Sequence, residues 1–502
     1  MVPAEALAAL VGAAAVAAPG AGLAEILPGI RALPPARRLA YAYLLGIAWT
    51  AGLLYALSHF LAVPLRRPAI LAVAALPAAA GLAHWLLRRR GAPAAPSRRR
   101  VRRDLLTRAA VAAGVVLSAG VLCDALTNPL VDWDGRMTWS AQARYLLAEG
   151  TVNAEIFKQP EWYVTHPRYP LLLPVAQAGV LELTGAGDDQ PFYRPLYALF
   201  FPVWLAVLYG GARIWTGRKA AALTALLAAL LPFPAFYRGG GATSAYSDLP
   251  LACFYGAGLL LLLAARRRIS DGVAAGLLLA AAVLCKSEGA LLALAALALA
   301  AALALASGRR RGLAAVGVAA VIVALALGLL VSWRSGIPNR YDEDYGSLLS
   351  LGAFWPAAAV RLPLLLPKIR FEMISLKHWG LFWSVAPLVL LAGWRGLRRR
   401  AAAGLAFAFL APLAVAWAAY SVSLQPEALV RTTWNRFLLQ GTIPFLVLLS
   451  FALNDLLRRA PWLPPSLGGP ARSPRRHPRT EAGTHPSAGP SSSAPDRSTA
   501  SG

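Results

Sequence analysis

Long apolar stretches separated by short polar breaks fill most of this chain. About 13 of them are close to the ~20 residues that carry a helix across a bilayer. They fall at roughly 5–27, 39–62, 69–87, 105–126, 193–214, 219–236, 247–264, 271–286, 288–306, 312–333, 378–394, 401–420 and 436–457. The pattern predicts an all-α, polytopic transmembrane protein. The first stretch has a second reading as a signal peptide, because AAAVAAPGAGLA offers small-residue cleavage sites. No basic residue precedes Arg31, however, so the positive region of such a peptide is missing and the stretch is taken as a helix.

Two connections are long, 128–192 and 334–377. In the first, TWSAQARYLLAEG (138–150) has the period of a short amphipathic helix. Trp139, Ala143, Leu146 and Leu147 share a face, and Gly150 can end it. PLLLPVAQAGVLELTG (170–185) is apolar but too short and too interrupted by proline to span. Both are expected to lie in the outer interface, with Trp and Tyr at headgroup depth. Residues 461–502 are rich in Pro, Ser, Arg and Gly, carry no apolar period, and read as a disordered cytoplasmic tail. The organisation is therefore 1–104 for the first helices and a basic loop, 105–457 for the main transmembrane region, and the tail.

Composition agrees with this frame. The chain has 502 residues, 58% of them hydrophobic and 14% charged, with a mean hydropathy of +0.55. A soluble enzyme or a disordered chain carries more charge. The net charge of +26 does not point to nucleic acid, because the arginines sit in blocks between apolar runs, as the positive-inside rule places them. The blocks at 88–103, 213–219, 266–268, 308–311 and 395–400 all fall on the cytoplasmic side of one helix count; Arg66 and Arg67 fall outside. The connection 128–192 then faces outward, and it is acidic in a basic chain. Cys123, Cys253 and Cys285 are scattered through apolar stretches and fit core packing, not a disulfide framework or a metal site.

Six segments on the outer side carry candidate chemistry. VDWDGRMTW (131–139) offers Asp132 and Asp134, either of which could accept a proton from an acceptor hydroxyl; both could instead cap a helix or pair with Arg136. YVTHPRYPLLLP (163–174) presents His166, Arg168 and Tyr169 for a sugar or phosphate, or forms a rigid loop between Pro167 and Pro170. YRGGGATSAYSDLPLACF (237–254) places Asp248 at the mouth of an apolar helix, as a functional group or as a cap ahead of Pro250. LCKSEGALLAL (284–294) breaks a long apolar stretch with Lys286 and Glu288, as a phosphate contact or as a pair that makes a hairpin turn tolerable. RLPLLLPKIRFEMISLKHW (361–379) and QPEALVRTTWNRFLLQ (425–440) carry outer cations, Arg431 and Arg436 among them. These cations would contact an anionic ligand or snorkel as interfacial anchors. All six segments share one face, which suits an anionic lipid-borne substrate meeting an acceptor from outside the cell.

At these residues the chain resembles the GT-C superfamily of membrane glycosyltransferases. It is most similar to bacterial relatives of protein O-mannosyltransferases and of the aminoarabinose transferase that modifies lipid A. VDWDGRMTWSAQARYL matches the Asp-bearing segment that opens their first outer loop, with Asp134 the counterpart of the catalytic Asp. HPRYPLLLPVAQ, AYSDLPLA and CKSEG resemble further blocks in the same order, and RTTWNRFLLQGTIPFLVLL their closing segment. Ser287 stands where the related block usually has Asn, and no large soluble C-terminal domain follows. The resemblance implies a polyprenyl-phosphate-linked sugar as donor, an acceptor in the cell envelope, and inverting transfer at the outer face of a bacterial cytoplasmic membrane. It implies Asp134 as base, with Asp132 as alternate or orienting group, and Lys286, Arg431 and Arg436 at the lipid phosphate. His166, Arg168, Tyr169, Asp248 and Glu288 would shape the sugar and acceptor pocket. No cofactor is expected, a divalent metal is possible but nothing in the sequence supports one, and no nucleic acid partner is expected. A transporter or lipid flippase, or a ligase or polymerase using an undecaprenyl-diphosphate donor, stands as the alternative.

Overall fold

A computed structural model describes residues 3–91, 104–187, 190–264, 268–338, 351–423 and 425–459. The expected tail, most of the 88–103 block and residues 339–350 of the second long connection lie outside the described residues. Met1–Leu456 form one compact unit, and Leu457–Gly502 are a separate unit of which only 457–459 are described. The described residues form helices and no strand.

Among the described residues, eight helices are long and apolar enough to cross a membrane. A ninth span arises if Pro426–Gln440 and Thr442–Arg459, which meet at a 57° bend, are taken together. Shorter apolar helices, Asp248–Ala264 and Ile269–Cys285 among them, occupy other expected spans. The protein is an all-α polytopic membrane protein, as the hydrophobic pattern predicts. The expected span at 219–236 is interrupted, with a helix over Arg218–Ala229 and a separate short turn over Pro232–Phe236. Pro232 and Pro234 supply no N–H to a continuing ladder. The stretch expected as a loop at 334–377 contains the long helix Leu351–Ile374.

The segment 128–192 is tied into the helical body. A six-residue π-helical turn, Gly135–Ser140, leads directly into the helix Ala141–Glu149, which ends at Gly150 in the left-handed conformation (φ +70°). Trp139, Ala143 and Leu146 are buried, as their common face predicts. The second expected interfacial helix, Leu172–Thr184, is enclosed by protein instead of lying on a surface: Leu172 through Leu181 are all buried. Helices Pro3–Ala17, Pro35–Leu61 and Ala141–Glu149 pack around it. Its length was too short to span, but its apolar content is explained by burial on all sides.

Arg66 and Arg67, the exceptions to the charge pattern, have partners in this same segment. Arg66 donates to the Leu147 carbonyl at 3.0 Å and lies 3.7 Å from the Glu182 carboxylate. Arg67 donates through its backbone to Glu182 at 3.1 Å and through its side chain to the Glu182 carbonyl at 3.0 Å. They stand on the side of the molecule where the long acidic segment lies.

Two antiparallel hairpins set up the site. Asp248–Ala264 is followed by Ile269–Cys285, and Glu288–Ala306 by Arg310–Ser335. Each pair returns to the level at which it began: Lys286 meets Asp248 at 2.7 Å, and Arg334 meets Ser287 at 2.7 Å. The two hairpins pack through small residues. A Cβ on Gly272 would stand 2.3 Å from the Ala315 carbonyl oxygen, the backbone approach that small residues permit between membrane helices.

Candidate active site

The polar ends of these helices meet in one network. Asp248 opens its helix and is fully buried. One of its oxygens accepts from Lys286 Nζ at 2.7 Å and Gln440 Nε2 at 3.0 Å, and the other from Arg436 Nε at 2.8 Å. Arg436 also donates through Nη1 to Asp134 Oδ2 at 2.8 Å. Lys286 also pairs with Glu288 at 3.1 Å. The charges therefore alternate from Asp134 through Arg436, Asp248 and Lys286 to Glu288. Burying so many ions requires this mutual pairing, because each isolated charge carries a large desolvation cost.

Local chain geometry places each member. The DWD segment enters the π-helical turn immediately after Asp134, and π-turns of this kind are frequent at functional sites. Gly135 allows the close approach: a Cβ there would lie 2.3 Å from the Ser244 carbonyl oxygen. Tyr246 joins the two segments, its hydroxyl accepting from the Asp134 N–H at 3.2 Å and its ring lying under the Arg436 guanidinium at 4.9 Å. Arg436 belongs to the helix Pro426–Gln440, about one turn before its end, and not to the helix Thr442–Arg459 that fills most of the expected final span. The helix stops at Gly441 and the chain bends there. Gln440, one turn after Arg436, thereby shares the face aimed at Asp248.

The members differ in what remains uncommitted. Both Asp248 oxygens are engaged and the residue is closed to solvent. Asp134 is a quarter exposed, and its Oδ1 has no partner among the described residues. Arg436 Nη2 is likewise without a described partner. An edge with one open carboxylate oxygen and one open guanidinium nitrogen therefore borders the closed part of the network.

Asp132 lies near Asp134 but in a different environment. It is half-buried, it is hydrogen-bonded to the Gly239 N–H, and Arg238 and Arg194 face it. Burial pushes its carboxyl above the usual carboxylate range, against the pull of Arg238. Burial likewise raises the Tyr246 phenol, and the Asp134 charge adds to it.

The 163–174 segment borders the same region. His166 has a left-handed backbone (φ +50°), and its ring stacks on Tyr169 at 4.6 Å. Gln142 holds the strained turn, donating to the carbonyls of Thr165 at 3.2 Å and His166 at 2.9 Å. Tyr169 is within electrostatic reach of both Arg334 and Arg436. The Arg168 carbonyl accepts from Arg334 Nε at 2.9 Å, while the half-exposed Arg168 guanidinium has no described partner. Arg431 is exposed on the Pro426–Gln440 helix and is not drawn into the network.

Four network or flanking residues were not singled out from the sequence: Gln440, Tyr246, Arg334 and Arg194. Arg334 bonds Ser287, the residue that departs from the related motif. Arg194 is buried and donates to the Asp124 carboxylate at 3.0 Å, the Thr243 carbonyl at 3.0 Å and the Asn128 carbonyl. It staples the start of the DWD segment to the glycine-rich loop. A lone arginine at the head of an apolar helix was the available signal for it. Among the described residues, no cluster of three or more His, Cys, Asp or Glu side chains is arranged to hold a metal ion.

Residues 166–333, a third of the chain, match the family model described as dolichyl-phosphate-mannose-protein mannosyltransferase, a family of the GT-C superfamily. This match supports a membrane glycosyltransferase of the GT-C type. The matched stretch contains His166, Arg168, Tyr169, Asp248, Lys286 and Glu288. Asp134 and Arg436 lie on either side of it, and the fold joins them to each other and, through Arg436, to Asp248. No curated protein and no solved structure matches the chain.

Proposed function

We propose that this glycosyltransferase moves a sugar from a polyprenyl-phosphate-linked donor to an acceptor hydroxyl or amine on the outer face of a bacterial cytoplasmic membrane, with inversion at the anomeric carbon. The observation that carries the reading is an open carboxylate oxygen on Asp134 beside an open guanidinium nitrogen on Arg436, the arginine being fixed from behind by Asp248 and itself holding Asp134. Asp134 accepts the proton of the acceptor as the acceptor heteroatom bonds to the anomeric carbon. The bond from that carbon to the phosphate oxygen breaks, and its electron pair leaves on the polyprenyl phosphate. A phosphate is a good leaving group, so a single base suffices.

Arg436, with Lys286 sharing its partner Asp248, stabilises the charge that grows on the departing phosphate, and Arg168 adds a further cation. Arg334 is the further cation on this edge. Asp248 acts through its partners: closed to solvent, it orients Arg436 and Lys286 and does not touch the sugar. Asp132, whose carboxyl is raised by burial, is the alternate base or orients the acceptor. His166 and Tyr169 form one wall of the sugar and acceptor pocket, and Glu288 closes it beside Lys286. The exposed Arg431 contacts the lipid phosphate before it seats.

The test does not require knowing the acceptor. Purified protein in nanodiscs is given a panel of radiolabelled polyprenyl-phosphate sugars and a crude envelope extract, and free polyprenyl phosphate is measured. Release with one sugar, lost in Asp134→Asn, is the expected result. No release with any monophosphate donor from folded protein would overturn the donor assignment and move the reading to diphosphate-linked sugars.

A further inference from the structure

A second feature lies at the other end of the same helices. A cavity of about 310 Å³ opens between helix ends and is lined by Trp215, Leu262, Leu303, Val316, Arg309 and Arg400, among others. Leu262 is near the end of the helix that Asp248 begins, and Leu303 near the end of the helix that Glu288 begins. At 1.5 Å per residue the cavity is roughly 20 Å from the Asp134–Arg436 edge along both helix axes. It is a separate site and shares no residue with the network.

Its chemistry is amphipathic. The interior wall is leucine, valine, alanine and tryptophan, and two arginines stand at its rim. Arg309 and Arg400 are exposed, and neither guanidinium has a partner among the described residues. They come from two separate helix starts, Arg310–Ser335 and Arg400–Val422, so their convergence on one apolar hollow is a property of the fold. In the arginine-block register this is the cytoplasmic end, where basic pockets between membrane helices take anionic headgroups.

We infer that this cavity binds an anionic phospholipid, its phosphate between Arg309 and Arg400 and part of one acyl chain against Leu262, Leu303 and Val316. The volume is at the small end for a ligand pocket and takes a length of chain, not a whole lipid. The inference does not depend on which donor or acceptor the transferase uses.

The experiment reads lipid alone, so its outcome is independent of turnover. Delipidated full-length protein is titrated with phosphatidylglycerol or with phosphatidylcholine of the same chains, and bound lipid is counted by native mass spectrometry. The expected result is a preference of at least about tenfold for phosphatidylglycerol, abolished in the Arg309→Gln/Arg400→Gln double variant. Both arginines are exposed, so the variant keeps its core, and a thermal melt confirms this. Equal binding of the two lipids, or an unchanged double variant, overturns the site. A phosphatidylglycerol with a photoreactive group on its acyl chain is expected to label peptides containing Leu303 and Val316. Ala304→Phe, which fills the hollow, is expected to remove that label. Labelling that is elsewhere, or unchanged in Ala304→Phe, overturns the placement of the chain.

Discussion

Two carboxylates two residues apart have been given opposite environments. Asp134 is held by the Arg436 guanidinium, while Asp132 sits in a half-buried turn that favours its neutral form. If Asp134 is the base, Asp134→Asn reduces turnover by about 10²–10⁴-fold and leaves the melting temperature within a degree or two. Release of polyprenyl phosphate by the variant checks it. Asp132 makes a different prediction, about stability and pH. Its folded carboxyl titrates above the unfolded one, so its favourable contribution is complete below the unfolded value of about 3.9. That contribution is lost as pH rises through the folded value. Asp132→Asn is therefore expected to raise the melting temperature at pH 7 and to leave it unchanged at pH 3.5, read by melts of the detergent-solubilised protein. The residue types at 132 and 134 were legible in the sequence as candidate bases. Their separation was not, because it depends on Arg238 and the Gly239 N–H for one and on Arg436 for the other.

At the scale of elements, the site is built where helices stop. Asp248 begins one, Lys286 follows the end of another, Glu288 begins a third, and Arg436 and Gln440 precede the bend at Gly441. Breaks at this depth are tolerable only where other protein groups satisfy the freed polar atoms, and the ion network does this. Asp248→Ala, which leaves Arg436 and Lys286 without their shared counter-ion, is expected to cost about 3–5 kcal/mol. The cost appears as a lowered melting temperature together with lost activity. Gly135→Ala is expected to separate the DWD segment from the Ser244 carbonyl and lower turnover more than stability, because the change is confined to one side of the π-turn. The periodicity of apolar residues was enough to place most of the spans and the face of the helix at 141–149. It could not find the bend at Gly441 or the burial of Leu172–Thr184, since both are decided by neighbours distant in sequence. Gln440 illustrates the limit: it lies one turn from Arg436, but only the position of Asp248 gives that turn a meaning.

At the scale of the whole molecule, two polar ends are separated by helices of about one bilayer's length. One end holds the ion network with Arg66 and Arg67 on the acidic segment; the other holds the exposed arginines 309, 310 and 400. If the network faces outward, Trp133→Cys, at a side chain 65% exposed, reacts with an impermeant maleimide in intact cells. Arg310→Cys then reacts only after permeabilisation. Both are made in a Cys123→Ser background, since Cys123 is exposed whereas Cys253 and Cys285 are buried. The reverse pattern of labelling would invert the topology. The network also spans the chain in time. Asp134 and Arg436 are 302 residues apart, so a ribosome releases Asp134, Asp248 and Lys286 long before it makes the arginine that joins them. Until then the nascent helix that starts with Asp248 carries a carboxylate neutralised by Lys286 alone. Biogenesis of this protein is therefore expected to pass a late checkpoint, at which the last helices lock the earlier ones. A chain stopped at residue 423 is expected to be inserted and then cleared by membrane proteases, although it contains the whole of the family-matched stretch.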